Sequence, residues 1–400
     1  MKPTTRDRVT EIRIAGLRCI ERLRLTLSDV TVLIGDNGSG KSSILEAVEV
    51  LRRAAYPAGM SEVNTIHGGR ASLLRHGATE LRLGLTLEGA GAKLRYEFAL
   101  RFSGPFAEVY EERLMRVVSP KREDGVFERT AERARVSAHG RELQVPTTQL
   151  ALSVLRVQEP RDESIVRMAN ALENLELHVP FEVTANWLAQ AHERRSALRI
   201  PTPPQPVTRL ERLGSNLASV FHHLKNGAPG WDETMDFVRL GLGDHVEEIN
   251  VPAATAGYVA LQMKLRGRDE PVPATALSDG QLAYLAMVAL VRLPRPTRPL
   301  LAFDEPELHL HPELLSRVVQ FFERLGRDQP VLLATHSDRL LDALSDPVKS
   351  VRVCDVDENG NGSIRELDAE ALKLWLEKYR GVGDIRGSGF LGHVLGKGRA

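Results

Sequence analysis

The chain has 400 residues and carries 53 lysines and arginines against 53 aspartates and glutamates, so its formal net charge is zero. This balance excludes a protein that binds nucleic acid through bulk charge alone, although it leaves room for a local basic groove. Hydrophobic residues form 42% of the sequence, which supports a sizeable core in one large or two modest domains. The two cysteines, Cys19 and Cys354, lack the spacing of a metal site, so we expect reduced thiols and a cytoplasmic location.

We expect no export or membrane segment. The first residues, MKPTTRDRVTEIRI, lack the apolar stretch of a signal peptide. Apolar runs in the sequence stay well short of the roughly 18 residues that a membrane-spanning helix needs.

Alternating apolar residues predict two pairs of antiparallel strands in the first hundred residues. Alternation with a period of two is typical of a strand with one buried and one wet face. The first pair contains Ile12, Ile14, Leu23, Leu25 and Leu27, and the second contains Leu81, Leu83, Leu85 and Leu87, followed after a GAGA turn by Leu94, Tyr96, Phe98, Leu100 and Phe102. The second pair predicts a hairpin.

A glycine-rich loop follows a continuous apolar run. The run VTVLI, residues 30–34, predicts a buried parallel strand. The loop GDNGSGKS, residues 35–42, precedes a helical apolar face and fits the pattern G-x-x-x-x-G-K-[ST] between a strand and a helix. Backbone N–H groups and the helix N-terminus bind phosphates in such a loop, while Lys41 reaches the β- and γ-phosphates and Ser42 binds Mg²⁺. The predicted nucleotide-binding residues are Gly35, Asp36, Asn37, Gly38, Ser39, Gly40, Lys41, Ser42 and Ser43.

Two later apolar strands end in polar residues that suit nucleotide hydrolysis. The segment PLLAFD, residues 299–304, places Asp304 at a strand end, where it can hold Mg²⁺. Glu305 follows as a candidate general base for the attacking water. His336 follows the strand in PVLLATHS, residues 330–337. Because the ends of parallel strands face the ligand crevice, we predict that His336 senses the γ-phosphate, beside the catalytic Lys41 and Glu305.

Helices are predicted between these strands and in the middle of the chain. The helix between the two strands has an apolar stripe that ends at Gly326, a residue typical of helix C-termini. Residues 160–250 read mainly as helices, interrupted by the proline-rich connector IPTPPQP at residues 200–206. The α/β halves therefore flank a helical insertion.

The segment LSDGQ, residues 277–281, precedes another apolar helix and has two interpretations. Ser278 with Gln281 three positions later forms a capping box, which marks the start of a helix. Alternatively, the segment is a second phosphate-reading element, far along the chain from the phosphate loop.

The order of phosphate loop, LSDGQ, Asp-Glu and His resembles that of the ABC-type ATPases, whose signature Leu-Ser-Gly-Gly-Gln lies shortly before the Asp-Glu pair. In that family the signature caps an ATP held by a partner's phosphate loop. The resemblance therefore implies a homodimer with two ATPs between its subunits, and it implies that Ser278, Gly280 and Gln281 contact nucleotide. Asp279 stands where many members have glycine, so its charge must point away from the triphosphate or be paired.

The segments IGDNGSGKSSILEAVEVL, EIRIAGLRCIERLRL, GSNLASVFHHL and FDEPELHLHP narrow this resemblance to the RecF/SMC-like group of AAA family ATPases, over most of the chain. The resemblance implies an α/β P-loop fold of ABC type, with a mixed central sheet, an antiparallel β-subdomain and a short helical lid. It divides the chain into an N-terminal part of the head (1–155), the lid (156–250) and a C-terminal part of the head (251–400). It also implies a nucleotide-binding role for Arg18. Gln158 is the predicted glutamine near the metal ion, with Gln149 as the alternative.

The resemblance implies Mg²⁺-dependent hydrolysis of ATP, in which ATP joins two subunits and hydrolysis releases them. The partner is either double-stranded DNA, as in DNA repair, or an effector protein such as a nuclease in antiviral defence. A nucleotide-gated scaffold for a partner nuclease, with little turnover and without direct DNA binding, is the alternative, and the presence of Glu305 speaks against it.

Three other patterns have competing interpretations. The segment DVDENGNGSIRE, residues 355–366, fits the expression of an EF-hand calcium loop, but a β-hairpin turn is favoured because a strand precedes it. His309 and His311 suggest metal binding, although the resemblance favours a position at the dimer seam. A basic cluster is either a solvated face or a contact for nucleic acid or a partner; it consists of Arg194, Arg195, Arg199, Arg209 and Arg212.

Overall fold

The computed structural model describes residues 6–57, 59–66, 69–89, 91–104, 106–184, 196–294 and 297–396. The strands in these ranges are β1 (Arg8–Leu17), β2 (Ile20–Thr26), β3 (Val30–Ile34), β4 (Glu80–Glu88), β5 (Lys93–Ser103), β6 (Phe106–Ser119), β7 (Arg122–Thr130), β8 (Arg133–Val136), β9 (Glu142–Gln144), β10 (Glu176–His178), β11 (Val246–Asn250), β12 (Gln262–Leu265), β13 (Val272–Pro273), β14 (Leu301–Asp304), β15 (Val331–Ala334), β16 (Val351–Val356) and β17 (Gly362–Glu366).

The α-helices of the described ranges are α1 (Lys41–Ala54), α2 (Gly59–Ile66), α3 (Gly69–Leu73), α4 (Ala151–Gln158), α5 (Glu163–Glu173), α6 (Leu217–Asn226), α7 (Trp231–Leu242), α8 (Asp279–Arg292), α9 (Pro312–Gly326), α10 (Asp338–Asp342), α11 (Pro347–Ser350), α12 (Ala369–Trp375) and α13 (Val382–Gly387). None of these helices is both long enough and apolar enough to cross a membrane.

Eight strands form an antiparallel sheet in the order β2-β1-β4-β5-β6-β7-β8-β9. The first predicted strand pair is confirmed, because Ile12 lies opposite Leu25 and Ile14 lies opposite Leu23. The second predicted pair forms the hairpin of β4 and β5. Its alternating apolar side chains are buried on one face of the sheet.

A second sheet has the order β10-β14-β15-β3-β16-β17. Its first five strands are parallel, and β17 is antiparallel to β16. The apolar runs predicted as buried strands are β3, β14 and β15 at the centre of this sheet. A mixed central sheet with a separate antiparallel sheet is the predicted fold class, which the structure confirms.

Alternate residues of the parallel strands face two different cores. In β15, Leu332 and Ala334 belong to the core shared with the antiparallel sheet and α1. Val331 and Leu333 belong to the second core, on the other face, together with α6 to α10. The helix that follows the phosphate loop and the helix that follows LSDGQ therefore lie on opposite faces of the parallel sheet.

The middle of the chain differs from the predicted helical lid. Residues 156–250 contain α5, α6 and α7, but they also supply β10 to the parallel sheet and β11 to a third sheet with β12 and β13. Because β10 pairs with β14, this region is continuous with the central fold. A strand of three residues is too short to produce a periodic apolar pattern, so it could not be predicted from the sequence.

Residues 355–366 form the predicted hairpin turn between β16 and β17. Asp357 Oδ1 accepts the backbone N–H groups of Asn359 and Asn361 at 2.9 Å and 2.8 Å. The aspartate thus stabilises a tight turn, and strands rather than helices flank it.

Helix α9 ends at Gly326 as predicted, but for a different reason. The residue after it, Arg327, has right-handed helical geometry, so no left-handed glycine cap closes the helix. A Cβ on Gly326 would instead lie 2.5 Å from the carbonyl oxygen of Asp29. Glycine is needed because the helix end approaches the chain before β3 closely.

We predict that Gly326→Ala lowers the free energy of unfolding by about 1–3 kcal/mol, because the added methyl group collides with backbone. Chemical denaturation measures this change. The matched control is Gly392→Ala, where the space around the Cβ is open and we expect a change within about 0.5 kcal/mol. Equal effects of the two substitutions would contradict the close approach at Gly326.

Candidate nucleotide-binding site

The carboxyl ends of three neighbouring parallel strands bring most of the predicted residues to one edge of the sheet. Asp304, the last residue of β14, lies opposite Ala334 of β15, and Ala334 lies opposite Leu33 of β3. The phosphate loop begins at Gly35, just after β3, and His336 follows just after β15. The loop, the acids and the histidine are therefore neighbours in space.

The phosphate loop depends on glycine where its backbone meets β16. Gly35 has φ +148°, and a Cβ there would lie 2.2 Å from the carbonyl oxygen of Cys354. Residues 36–38 are exposed, while Ser39 and Gly40 are buried. The loop thus anchors its two ends in the fold and turns its middle outward.

The N-terminus of α1 offers amide groups to an anion. Its N-cap, Gly40, has left-handed geometry, no side chain caps the helix, and the first turn contains no acidic residue. The first N–H groups of a helix have no acceptor within the helix, and the helix dipole adds positive potential there. The backbone of Ser42 and Ser43 is therefore placed to bind phosphate.

Lys41 folds back on the loop in this structure. Its Nζ donates to the carbonyl oxygens of Gly35 at 2.8 Å and Asp36 at 2.9 Å, and the side chain is buried. Burial lowers the pKa of Lys41, and the positive charge of Arg386 lowers it further. The hydrogen bonds of Lys41 here go to neutral oxygens, and a bound phosphate would offer it a negatively charged acceptor.

The acids at the end of β14 suit a divalent cation. Burial raises the pKa of the Asp304 carboxyl, and repulsion from Glu305 and Glu307 raises it further. A cation relieves this repulsion, and Mg²⁺ prefers oxygen ligands such as this carboxylate and the exposed hydroxyl of Ser42. No group of three or more His, Cys, Asp or Glu side chains in the described ranges is arranged to hold a metal. The residues present therefore fit an ion held jointly with nucleotide phosphates.

Backbone strain marks the residues after Asp304. Glu305 has φ +47° and His309 has φ +69°, values that a residue with a side chain adopts at a cost of about 1–3 kcal/mol. The N–H of Glu305 donates to the carbonyl of Ala334 at 2.8 Å, which holds the strained turn.

His311 accepts from the N–H of Glu313 through Nδ1 at 3.5 Å, so it caps α9.

Glu307 holds the backbone beside His336, a role that the sequence analysis missed. Its Oε1 accepts the Thr335 hydroxyl at 2.6 Å and the His336 N–H at 3.1 Å. Its buried Oε2 has no hydrogen-bond partner among the described residues. The loop after β15 is thereby tied to the loop after β14.

The start of α8 confirms the capping box, and the phosphate-reading interpretation of LSDGQ stays a prediction. Ser278 Oγ accepts the Gln281 N–H at 3.2 Å, and the Ser278 N–H donates to Gln281 Oε1 at 2.9 Å, so the capping box is real. Both bonds use side-chain acceptor oxygens. The serine O–H and the glutamine NH₂ remain as donors, and Ser278 is exposed. A Cβ on Gly280 would lie 3.1 Å from the His309 carbonyl, which places this helix start beside the loop after β14.

Asp279 is paired, as its position in the signature required. Arg199 donates to Asp279 Oδ1 through Nη2. The arginine side chain is 1% exposed. Arg199 also donates to the carbonyl of Leu277 at 2.7 Å and, through Nε, to that of Val183 at 3.0 Å. It therefore neutralises the acid and fixes the segment that leads into α8.

The predicted basic cluster does not share one environment. Arg199 is buried and structural, so its assignment to a solvated or partner-binding face was wrong. Arg209 and Arg212 are exposed. Residues 194–195 lie outside the described residues.

The turn between β1 and β2 packs against the end of the phosphate loop. Arg18 has φ +48°, and its Nη2 donates to Glu46 Oε1 of α1 at 3.0 Å. The sulfur of Cys19 lies 3.1 Å from the place where a Cβ on Gly40 would be. Arg18 is therefore held near the loop, where its predicted contact with nucleotide stays a prediction.

The two candidate glutamines have no distinctive setting. Gln158 is the exposed last residue of α4. Gln149 lies just before that helix, and its backbone carbonyl accepts from Arg129 Nη1 at 2.6 Å. Neither arrangement selects one of them as the metal-proximal glutamine, so Gln158 stays a prediction.

One protein-family model matches most of the chain. Residues 30–342 match the family model described as AAA domain, putative AbiEii toxin, type IV TA system. That span covers more than three quarters of the chain and includes the phosphate loop, LSDGQ, Asp304 and His336. Comparison with curated proteins found no match.

Two solved structures share the fold. The SMC head bound to the C-winged helix domain of ScpA has a TM-score of 0.55 and 14% identity, over 91% of this chain and 99% of that one. The SMC head domain with an extended coiled coil, bound to the C-terminal domain of ScpA from Pyrococcus furiosus, has a TM-score of 0.52 and 12% identity, over 93% and 99%. The fold is that of an SMC head, an ABC-type ATPase fold.

We predict that Arg199→Met lowers the free energy of unfolding by about 3 kcal/mol, because it leaves several buried carbonyl oxygens without a donor. Chemical denaturation measures the loss. The control is Arg209→Met, an exposed arginine for which we expect a change within about 0.5 kcal/mol. Similar values for both variants would show that Arg199 does not anchor the segment before α8.

Proposed function

This chain belongs to the AAA-domain family whose model it matches, and on that premise we propose that it is a Mg²⁺-dependent ATPase that dimerises around ATP. Lys41, the amides at the start of α1 and Ser42 bind the phosphates. Asp304 and Ser42 share the Mg²⁺ ion, which neutralises phosphate charge when it is bound. Glu305 orients the attacking water, and His336 contacts the γ-phosphate.

The observation that carries this proposal is the placement of the starts of α1 and α8, each with hydrogen-bond donors, on opposite faces of one sheet. Helix α1 packs in the core between the antiparallel sheet and the parallel sheet, whereas α8 packs in the core on the other face of the parallel sheet. The start of α8 nevertheless lies beside the loop after β14, since Gly280 approaches the His309 carbonyl. Because α8 packs on the face of the sheet away from α1, we assign its donors to a nucleotide held by a second copy of the chain.

The chemistry follows from the strained turn after β14. The general base must lie close to the γ-phosphate in the bound state, and Glu305 directly follows the strand that presents Asp304. The loops after β14 and β15 are joined through Glu307. A change at the γ-phosphate therefore affects both Glu305 and His336. In the proposed cycle, ATP binding joins two subunits and hydrolysis separates them.

The partner on which this switch acts is either an effector protein or DNA. The family description names a putative toxin of a toxin–antitoxin system, and both SMC heads above are bound to a ScpA domain, which favours an effector in a defence system. In support of DNA, the lining of a 400 Å³ cavity on the antiparallel sheet includes Glu97 and five arginines, which are Arg13, Arg22, Arg24, Arg82 and Arg113. Four of these arginines form ion pairs with glutamates, so Arg22 is the arginine of this lining without an ion pair among the described residues. Binding to duplex DNA that weakens steeply with salt would favour DNA.

We predict that Glu305→Gln slows ATP hydrolysis by roughly 10²–10⁴-fold while nucleotide binding persists, because only the general base is removed. An ATP-bound dimer should accumulate. Light scattering with and without Mg²⁺–ATP measures the mass, and Glu313→Gln on the exposed start of α9 serves as the control. A variant that stays monomeric with bound ATP would contradict the ATP-linked dimer.

We predict that two inactive variants restore activity when they are mixed. Lys41→Ala loses phosphate binding, and Ser278→Arg blocks the start of α8. A mixed dimer contains one intact site, formed by the wild-type phosphate loop of one chain and the wild-type signature of the other. With random mixing and independent sites, about a quarter of wild-type turnover is the ceiling.

The informative comparison is the mixture against each variant alone. Tagged pull-down must show that mixed dimers form. Turnover that stays at the level of the single variants would mean that LSDGQ serves its own chain, that both sites must be intact, or that Ser278 only caps α8.

A further inference from the structure

One arginine joins the C-terminal helix α13 to the loop that carries His336. Arg386 Nη1 donates to the carbonyl oxygen of His336 at 3.1 Å and to Asp338 Oδ1 at 2.9 Å. The Arg386 side chain is 20% exposed, so its charge is only partly screened by water. None of the sequence motifs includes this residue.

The position of Arg386 is fixed by unusually close packing of α13 on α10. A Cβ on Gly383 would lie 2.0 Å from the carbonyl oxygen of Asp338. A Cβ on Gly381 would lie 2.2 Å from Asp342 Oδ1, and that oxygen accepts the Gly383 N–H at 2.7 Å. Gly383 thus allows a close contact with the α10 backbone that a side chain would prevent, and Arg386 follows on the same short helix.

The backbone of His336 is consequently held on both sides. Glu307 accepts its N–H at 3.1 Å, and Arg386 donates to its carbonyl at 3.1 Å. The direction of the His336 side chain follows from the backbone that carries it. Loss of either partner therefore removes one of the two hydrogen bonds that hold the His336 backbone.

Arg386 places a partly buried positive charge on the loop that carries His336, where its Nη1 meets the His336 carbonyl. The γ-phosphate carries the charge that distinguishes ATP from ADP, and the His336 loop is the element proposed to meet it.

We propose that Arg386 is a positioning residue that holds the His336 loop and adds positive charge at the γ-phosphate end of the site, so that the site prefers ATP to ADP. This inference rests on the proposed ATPase function and deepens it. It assigns the discrimination between nucleotides to a helix near the C-terminus, which thereby senses the nucleotide state.

The test compares nucleotide affinities of variants that fold equally well, as judged by thermal melting. Mg²⁺ with a non-hydrolysable ATP analogue and Mg²⁺ with ADP are the two probes, measured by calorimetry. In Arg386→Gln we expect affinity for the analogue to fall roughly 10-fold or more while ADP affinity is unchanged, since a hydrogen-bonded charge is lost only at the γ-phosphate end. Turnover falls in parallel. The affinity of Arg386→Lys for the analogue should lie between those of the wild type and Arg386→Gln, because lysine keeps the positive charge but lacks the planar guanidinium group.

Two controls separate positioning from a structural role. Arg365→Gln breaks a similar ion pair on the β16–β17 hairpin, in which Arg365 lies 2.7 Å from Asp355. This variant should leave both nucleotide affinities unchanged. Asp338→Asn keeps the positive charge and the bond to the His336 carbonyl, and should preserve the preference for the ATP analogue.

The inference is wrong if Arg386→Gln weakens both nucleotides equally, if it matches Arg365→Gln, or if Asp338→Asn removes the preference as fully as Arg386→Gln does. If Arg386→Gln does not fold, the same comparison of nucleotide affinities is made with Arg386→Lys and Asp338→Asn. Failure of the proposed function is distinct, because the wild-type chain would then bind neither nucleotide.

Discussion

The register among β14, β15 and β3 is the constraint on which the nucleotide site depends. Asp304, Ala334 and Leu33 lie in one row across the three strands, and each strand continues directly into a loop with candidate functional residues. A shift by one residue would turn every side chain of a strand to the other face. Since both faces of this sheet are buried in separate cores, the apolar side chains themselves lock the register.

That same two-sided burial separates the two helix starts that are proposed to bind phosphate. The sheet separates the cores in which α1 and α8 pack. Helix α1 begins without any side-chain cap, as suits direct contact with phosphate. Helix α8 begins with a capping box that leaves its donor groups free. The start of α1 therefore leaves its first N–H groups uncapped, whereas the start of α8 is capped by its own side chains.

Charge and strain are concentrated where the loops meet. Burial raises the pKa of Asp304, and the neighbouring carboxylates of Glu305 and Glu307 raise it further. Burial and the positive charge of Arg386 lower the pKa of Lys41. Glu305 and His309 hold left-handed backbone geometry. The well-packed sheet around the site supports this strained backbone, and the proposed nucleotide with its metal ion would relieve the charge crowding. The site is in this sense preorganised for a ligand of mixed charge.

The sequence by itself determined the strands and loops whose signals are local. The phosphate loop, Asp304, Glu305 and His336 follow continuous apolar runs, and the β16–β17 turn carries its own hydrogen-bonding aspartate. Ser278 and Gln281 interact within four residues, so their capping box is readable without a fold. Each of these features depends on spacing along the chain, which sequence periodicity records directly.

Only the tertiary structure decided the contacts between distant segments. Arg199 looked like one member of a charged cluster, yet it is buried against the segment before α8 and pairs with Asp279. Gly326 looked like a helix cap, yet it is required by Asp29 across the fold. The strand β10 and the bond from Arg386 to the His336 carbonyl left no pattern at all. The physical reason is that a hydrogen bond or close approach between remote residues depends on their geometry in three dimensions, and no local period encodes it.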